Sequence, residues 1–178
     1  MSDTSPFARM HAVIAEDSQH MRTLLRSMLR ALGFEHVSAE SSGADALRQI
    51  HIELPDVVLL DWNMPGLTGI EVVQATKKMP DPFCRVPTMI VTGHASKVRL
   101  NQAKKLGVNA FLCKPVSIAA LELRLRAIVG KDQVLPELPD TVAPVRKQTA
   151  QSTGADPAKT SRSRLTEETD TDLESFYV

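Results

Sequence analysis

The sequence predicts an α/β protein, a three-layer sandwich in which five parallel strands alternate with five helices. Three observations predict it. Short apolar, β-rich runs recur between residues 12 and 113. Between them apolar side chains return at helical spacing. Polar residues with chemical uses stand just after the runs, at Glu16-Asp17, Asp61, Thr92 and Lys114. Strict alternation of strand and helix implies right-handed crossovers, and in such sheets ligands sit beyond the carboxyl ends of the strands.

The first strand is read at residues 12–15. Met21, Leu24, Leu25, Met28 and Leu32 then follow i, i+3, i+4, i+7, i+11 as the buried face of a helix, and Gly33 stands where its C-cap belongs. A weaker strand at 36–39 leads to a second helix, opened by Ser42 and carrying Ala44, Leu47 and Ile50. Val57-Val58-Leu59-Leu60 is continuously apolar, as a central parallel strand covered on both faces must be. Leu67, Ile70 and Val73 mark the third helix; residues 86–91 form the fourth strand, and 95–106 the fourth helix, ended by Gly107. The proline-rich stretch 79–84 is expected to lengthen a connection and no more. Residues 110–113 make the fifth strand, and Ile118, Leu121, Leu125 and Ile128 the buried face of a fifth helix stopped by Gly130.

Composition sets outer limits. The 178 residues hold 21 Lys+Arg against 21 Asp+Glu, a formal net charge of zero, which disfavours coating nucleic acid or anionic membrane through bulk charge. Hydrophobic residues, at 43%, suffice for a packed core. Two cysteines, Cys84 and Cys113, cannot build a disulfide framework, and no Cys/His cluster points to a soft metal. No apolar run approaches the roughly 20 residues of a membrane helix. The opening residues lack a signal peptide's basic and then apolar regions, so a cytoplasmic location is expected. The zero total is an average over unlike parts. Residues 1–130 carry 15 basic and 12 acidic side chains, net +3, whereas residues 131–178 carry 6 and 9, net −3. Prolines punctuate that second part, and residues 141–159 lack any apolar period. The expected organisation is therefore a folded domain over 8–130 and a disordered tail over 131–178. The tail is basic first (Arg146, Lys147, Lys159, Arg162, Arg164) and acidic last (Glu167, Glu168, Asp170, Asp172, Glu174). Its end, Phe176-Tyr177-Val178, is a candidate partner contact.

Each strand-end residue has an ordinary use taken alone: Asp17 or Ser18 as an N-cap, Asp61 as a turn residue, Lys114 as an exposed charge. Together they form a coherent site. Crowded carboxylates repel one another, and a hard divalent cation such as Mg²⁺ relieves the repulsion while keeping places for phosphate oxygens. A lysine ammonium is a compact charge for those oxygens, and a threonine hydroxyl can donate to one that arrives later. The remaining carboxylate is then an aspartyl nucleophile, whose natural product is an acyl phosphate. No G-x-x-x-x-G-K-[ST] cradle is present, which disfavours nucleotide hydrolysis.

The set Glu16-Asp17, Asp61-Trp62-Asn63-Met64-Pro65-Gly66, Thr92-Gly93-His94 and Phe111-Leu112-Cys113-Lys114-Pro115 resembles the receiver domain of bacterial two-component response regulators over about residues 8–130. The resemblance implies a flavodoxin-like, receiver-type fold with strand order 2-1-3-4-5. It implies that Asp61 accepts a phosphoryl group from a phosphohistidine of a sensor histidine kinase or histidine phosphotransfer protein. By the same resemblance Mg²⁺ would be held by Asp17 directly, by Glu16 through water, by Asp61 and by the backbone carbonyl of Asn63. Lys114 would pair with the phosphoryl oxygens, Pro115 would follow a cis peptide, Thr92 would swing toward the phosphoryl group and Phe111 would rotate inward. The change would be read on the fourth helix, fifth strand and fifth helix by a downstream protein, and the chain would catalyse only its own phosphorylation and dephosphorylation. The other readings are a phosphorelay intermediate and an unphosphorylated scaffold.

Some positions need separate reading. Thr68 stands where the family often has an acid, which should alter only the start of the third helix. Gly93 leaves room for the phosphoryl group to reach Thr92. Asn63 and His94 flank the expected phosphate as tuning positions, with His94 an exposed loop residue and not a base. Cys113 is expected in buried packing. Lys97, Arg99, Lys104 and Lys105, with Arg124 and Arg126, form a basic face, and no DNA-reading motif accompanies it.

Overall fold

Alternating short apolar runs and amphipathic segments can bury both kinds of element only if the strands make one sheet and the helices cover its two faces. The computed structural model describes residues 5–129, and it has this arrangement. In chain order the elements are β1 (His11–Ala15), α1 (Gln19–Ala31), β2 (His36–Glu40), α2 (Gly43–Glu53), β3 (Val57–Asp61), α3 (Gly69–Lys77), a 3₁₀ turn (Phe83–Arg85), β4 (Thr88–Thr92), α4 (Lys97–Lys105), β5 (Ala110–Cys113) and α5 (Ile118–Val129). All strand pairs are parallel, in the order β2-β1-β3-β4-β5. The tail read at 131–178, and Gly130, lie outside the described residues.

The sheet's two faces hold separate cores. Val13, Ala15, Val58, Leu60 and Ile90 meet Ala46 and Ile50 of α2, Ile70 and Val73 of α3, and Ala103 of α4. On the other face Ala12, Ile14, Leu59, Met89 and Leu112 meet Leu25 and Leu29 of α1 and Leu121 and Leu125 of α5. Fully burying one such aliphatic side chain is worth about 1.5–3 kcal/mol, so the central strands anchor the fold. Ser18, Ser42 and Ser96 each accept a backbone N–H from the first turn of the helix they open, which fixes where α1, α2 and α4 begin. Gly33 and Gly107, after α1 and α4, have φ of 102° and 74°, the left-handed backbone that favours glycine at a helix end.

Several boundaries differ from the sequence reading, each for a local reason. β4 starts at Thr88 because Pro87 has no N–H to give a ladder, although Val86 is buried. Leu67 precedes α3, whose N-cap is Thr68. On α1 the buried residues are Leu25 and Leu29; Met21, Leu24, Met28 and Leu32 flank them, half-buried. Ala44 is exposed, and Ala46 occupies the core side of α2. Ile118, which the sequence reading puts on the buried face of α5, is 43% exposed at the first residue of the helix, and Leu121 and Leu125 are the buried ones. The proline-rich connection does more than lengthen a loop. It forms the 3₁₀ turn, its Phe83 ring lies 4.9 Å from His51 of α2 in a stacked geometry, and the Cys84 carbonyl accepts from Lys77 Nζ at 3.0 Å. Among the described residues no helix is long and apolar enough to cross a membrane.

Candidate functional site

Parallel strands send their carboxyl ends to one edge, so whatever follows them meets there. Ala15 is in register with Leu60, and the next residues, Glu16 and Asp61, leave the sheet at the same level. Asp61 and Thr92 are the last residues of β3 and β4, and Lys114 follows β5. One carboxylate oxygen from each of Glu16, Asp17 and Asp61 lies within 4.8 Å of the others. Lys114 Nζ is 2.7 Å from Glu16 Oε2 and 3.3 Å from Asp61 Oδ1. Glu16 is 1% exposed and Asp61 7%, whereas Asp17 is exposed.

Burial is the main reason the Glu16 carboxyl is raised above the ordinary glutamate range, and the Asp61 charge adds to it. The hydrogen bond and charge of Lys114, and the Ser18 N–H, act in the opposite direction without cancelling the rise. Three carboxylates thus face one ammonium. The donors are all oxygen and partly sheltered from water, a set that fits a hard divalent cation such as Mg²⁺ and offers nothing to a thiophilic one.

Backbone packing holds Asp61 in place. Gly69, the first residue of α3, donates to the Trp62 carbonyl at 3.2 Å, and a Cβ at Gly69 would stand 2.1 Å from the Asp61 carbonyl oxygen. Only glycine lets α3 start so close to the end of β3. Glu71 accepts from both the N–H and the hydroxyl of Thr68, at 2.8 and 2.6 Å, so Thr68 closes a capping box at that start. These contacts hold the Glu71 carboxyl below its ordinary range.

The other sequence-predicted residues take distinct places. Thr92 is fully buried, and its Oγ1 accepts from the His94 N–H at 3.2 Å. Phe111 lies inside, 8% exposed, with its ring 6.3 Å from that of Trp62. Asn63 and His94 are exposed, and the Lys114–Pro115 peptide is cis. A methyl on Gly93 would meet no atom within 4 Å other than those of its two chain neighbours, so the space at Gly93 is open. Cys113, expected in packing, is exposed, because it ends an edge strand beyond the cover of the helices.

Two residues, Gly69 and Arg22, have no place in the sequence reading, and a third, Arg99, enters it only as part of the basic face. Gly69 has been described. Arg99 of α4 sits 5.0 Å over the Trp62 ring and donates to the His94 carbonyl at 3.2 Å, joining α4 to the loops after β3 and β4. Arg22 of α1 donates from Nη1 to the carbonyls of Glu16, at 2.7 Å, and Asp17, at 3.1 Å. Its place in the first turn of the helix that follows Glu16-Asp17 was the available signal.

Comparison with known proteins agrees with this geometry. The family model described as "Response regulator receiver domain" matches residues 12–126. The chain is similar to the chemotaxis protein CheY of Pseudomonas aeruginosa, 31% identical over 119 residues, 67% of this chain and 95% of the relative. Among solved structures, the chemotaxis protein CheY4 of Vibrio cholerae has a TM-score of 0.64 at 26% identity, over 68% of this chain and 99% of that one. The receiver domain of a sensor histidine kinase from Pseudomonas aeruginosa, with a magnesium ion coordinated in its active site cleft, has a TM-score of 0.63 at 27% identity, over 69% of this chain and 99% of that one. With its β2-β1-β3-β4-β5 sheet and the acids and lysine gathered at one edge, the chain belongs to the response regulator receiver domain family, whose members are phosphoacceptor signalling proteins.

Proposed function

We propose that Asp61 is the phosphoacceptor, that Mg²⁺ is held by Asp17, Asp61, the Asn63 carbonyl and, through water, Glu16, and that the donor is a phosphohistidine of a sensor kinase or phosphotransfer protein. The observation that carries the reading is the buried Asp61 carboxylate grouped with Glu16 and Asp17 and 3.3 Å from Lys114 Nζ. In the transfer an Asp61 oxygen attacks phosphorus, an acyl phosphate forms and the phosphorus–nitrogen bond to the donor imidazole breaks. Mg²⁺, when bound, supplies positive charge against the carboxylates and the phosphoryl oxygens. Lys114 gives its ammonium to a phosphoryl oxygen and thereby loosens its pairing with Glu16. The Thr92 hydroxyl can keep accepting from His94 N–H while donating its own proton to another phosphoryl oxygen.

The output face of this reading is α4-β5-α5. Val98, Ile118 and Leu123 are exposed there, at 76%, 43% and 63%, beside Lys97, Lys104 and Lys105, a surface suited to a protein partner with acidic and apolar groups. The receiver unit of the reading spans residues 8–130, and it acts in the cytoplasm.

Incubation with acetyl phosphate and Mg²⁺, followed by intact-mass measurement, tests the acceptor assignment. A gain of one phosphoryl group that disappears in Asp61→Asn is expected. No gain in the native protein, or an undiminished gain in the variant, overturns the reading.

A further inference from the structure

We propose that Arg22 is a positioning residue for the cation-holding acids, acting through their backbone and not through their charge. The inference rests on the reading of Glu16, Asp17 and Asp61 as a Mg²⁺ and phosphoryl site. Glu16 and Asp17 are consecutive in the turn that leaves β1, where the sheet ladder has ended. The last tie to the sheet is the Glu16 N–H to the Glu40 carbonyl, at 3.1 Å, and helix α1 takes over with the Arg22 N–H to the Ser18 carbonyl, at 2.9 Å. Lys114, at 2.7 Å, and the Ser18 N–H hold the Glu16 carboxylate, but the peptide planes between the two backbone ties are left to the turn itself, and like-charge repulsion among the acids presses on them. Arg22 closes the gap. Its Nη1 carries two hydrogens, enough to serve both the Glu16 carbonyl at 2.7 Å and the Asp17 carbonyl at 3.1 Å. Holding two successive carbonyls fixes the two peptide planes, and so the directions in which both side chains leave the main chain.

The chemistry of the contact separates this role from simple neutralisation. Arg22 is half-buried, and its hydrogen bonds go to carbonyls; among the described residues it forms no ion pair with a carboxylate. Its positive charge near a divalent cation lowers the cation's affinity, whereas ordering the acids raises it. The two effects have opposite signs, so one measurement decides between them. Arg26, one turn further along the same helix, is exposed and carries the same charge without touching the acids' backbone.

The test is Mg²⁺ titration of the full chain, followed by calorimetry and by the fluorescence of Trp62, the only tryptophan, which adjoins Asp61. The dissociation constant is expected to rise about tenfold in Arg22→Met, equivalent to about 1.4 kcal/mol. Arg22→Lys, which keeps the charge without the planar fork, should fall between Arg22→Met and the native protein, and Arg26→Met should match the native protein. Thermal melts without Mg²⁺ give the structural contribution separately, and Arg22→Lys alone suffices if Arg22→Met does not fold. A native chain that neither binds Mg²⁺ nor gains a phosphoryl group overturns the site reading. A native chain that does both, with unchanged or tighter Mg²⁺ binding in the folded Arg22 variants, overturns the role given to Arg22 and leaves the site reading intact.

Discussion

Glu16 is a buried acid beside two others, an arrangement that costs stability unless something positive faces it. Its folded-state pKa is raised, chiefly by burial, so the folded protein holds that proton more tightly than the unfolded chain does. The sign follows. The contribution of Glu16 to stability is fully present below the unfolded pKa and is lost as pH rises through the raised folded pKa. In metal-free buffer the melting temperature of Glu16→Gln relative to the native protein should therefore move in favour of the variant between pH 4 and pH 7. Added Mg²⁺ should shrink or reverse that difference, because the native carboxylate then has a cation to face. Thermal melts at the two pH values, with and without Mg²⁺, check it; a difference that does not change with pH would mean that Lys114, 2.7 Å away, already neutralises Glu16. Neither the burial of Glu16 nor its pairing with Lys114, 98 positions along, is visible in its sequence neighbourhood.

Helix α1 carries the corresponding lesson for an element. The 3.6-residue period identifies the helix and its inward side, but several apolar residues share that side. Packing against β1 and β2 selects Leu25 and Leu29, at 1% and 0% exposure, and leaves Leu24 half-buried. Leu29→Ala should cost about 2–5 kcal/mol, as large-to-small changes in full burial do, and Leu24→Ala clearly less. Urea unfolding of the two variants tests the ranking; equal losses would mean that the periodic stripe, and not its centre, carries the packing. Capping was the more legible part of the helices. Residue type alone marks Ser42 and Gly107, and both stand at helix ends, since capping involves residues only a few positions apart. Ile118 and Cys113 were misplaced for the converse reason. Exposure at a helix start or an edge-strand end depends on where neighbouring elements stop.

For the whole molecule, the site exists only because four strands end together. If residues 131–178 lie outside the receiver unit, a chain ending at residue 132 should keep both the melting temperature and the Mg²⁺ affinity of the full-length protein. A large fall in either would assign part of the fold or site to the removed residues. The alternation of strand and helix, the continuous apolar run of β3 and the acids, threonine and lysine at strand ends were legible in the sequence. Each is a matter of residue type and short-range period, which the chain carries locally. The strand order came from resemblance, since a period does not say which strands are neighbours. Only the tertiary structure brought Glu16, Asp17 and Asp61 within 4.8 Å, set Lys114 between two of them, and turned Arg22 onto the backbone of the acids. Those contacts join residues from separate elements or depend on the path of a turn, and a distance across a fold is decided by how all its elements pack together.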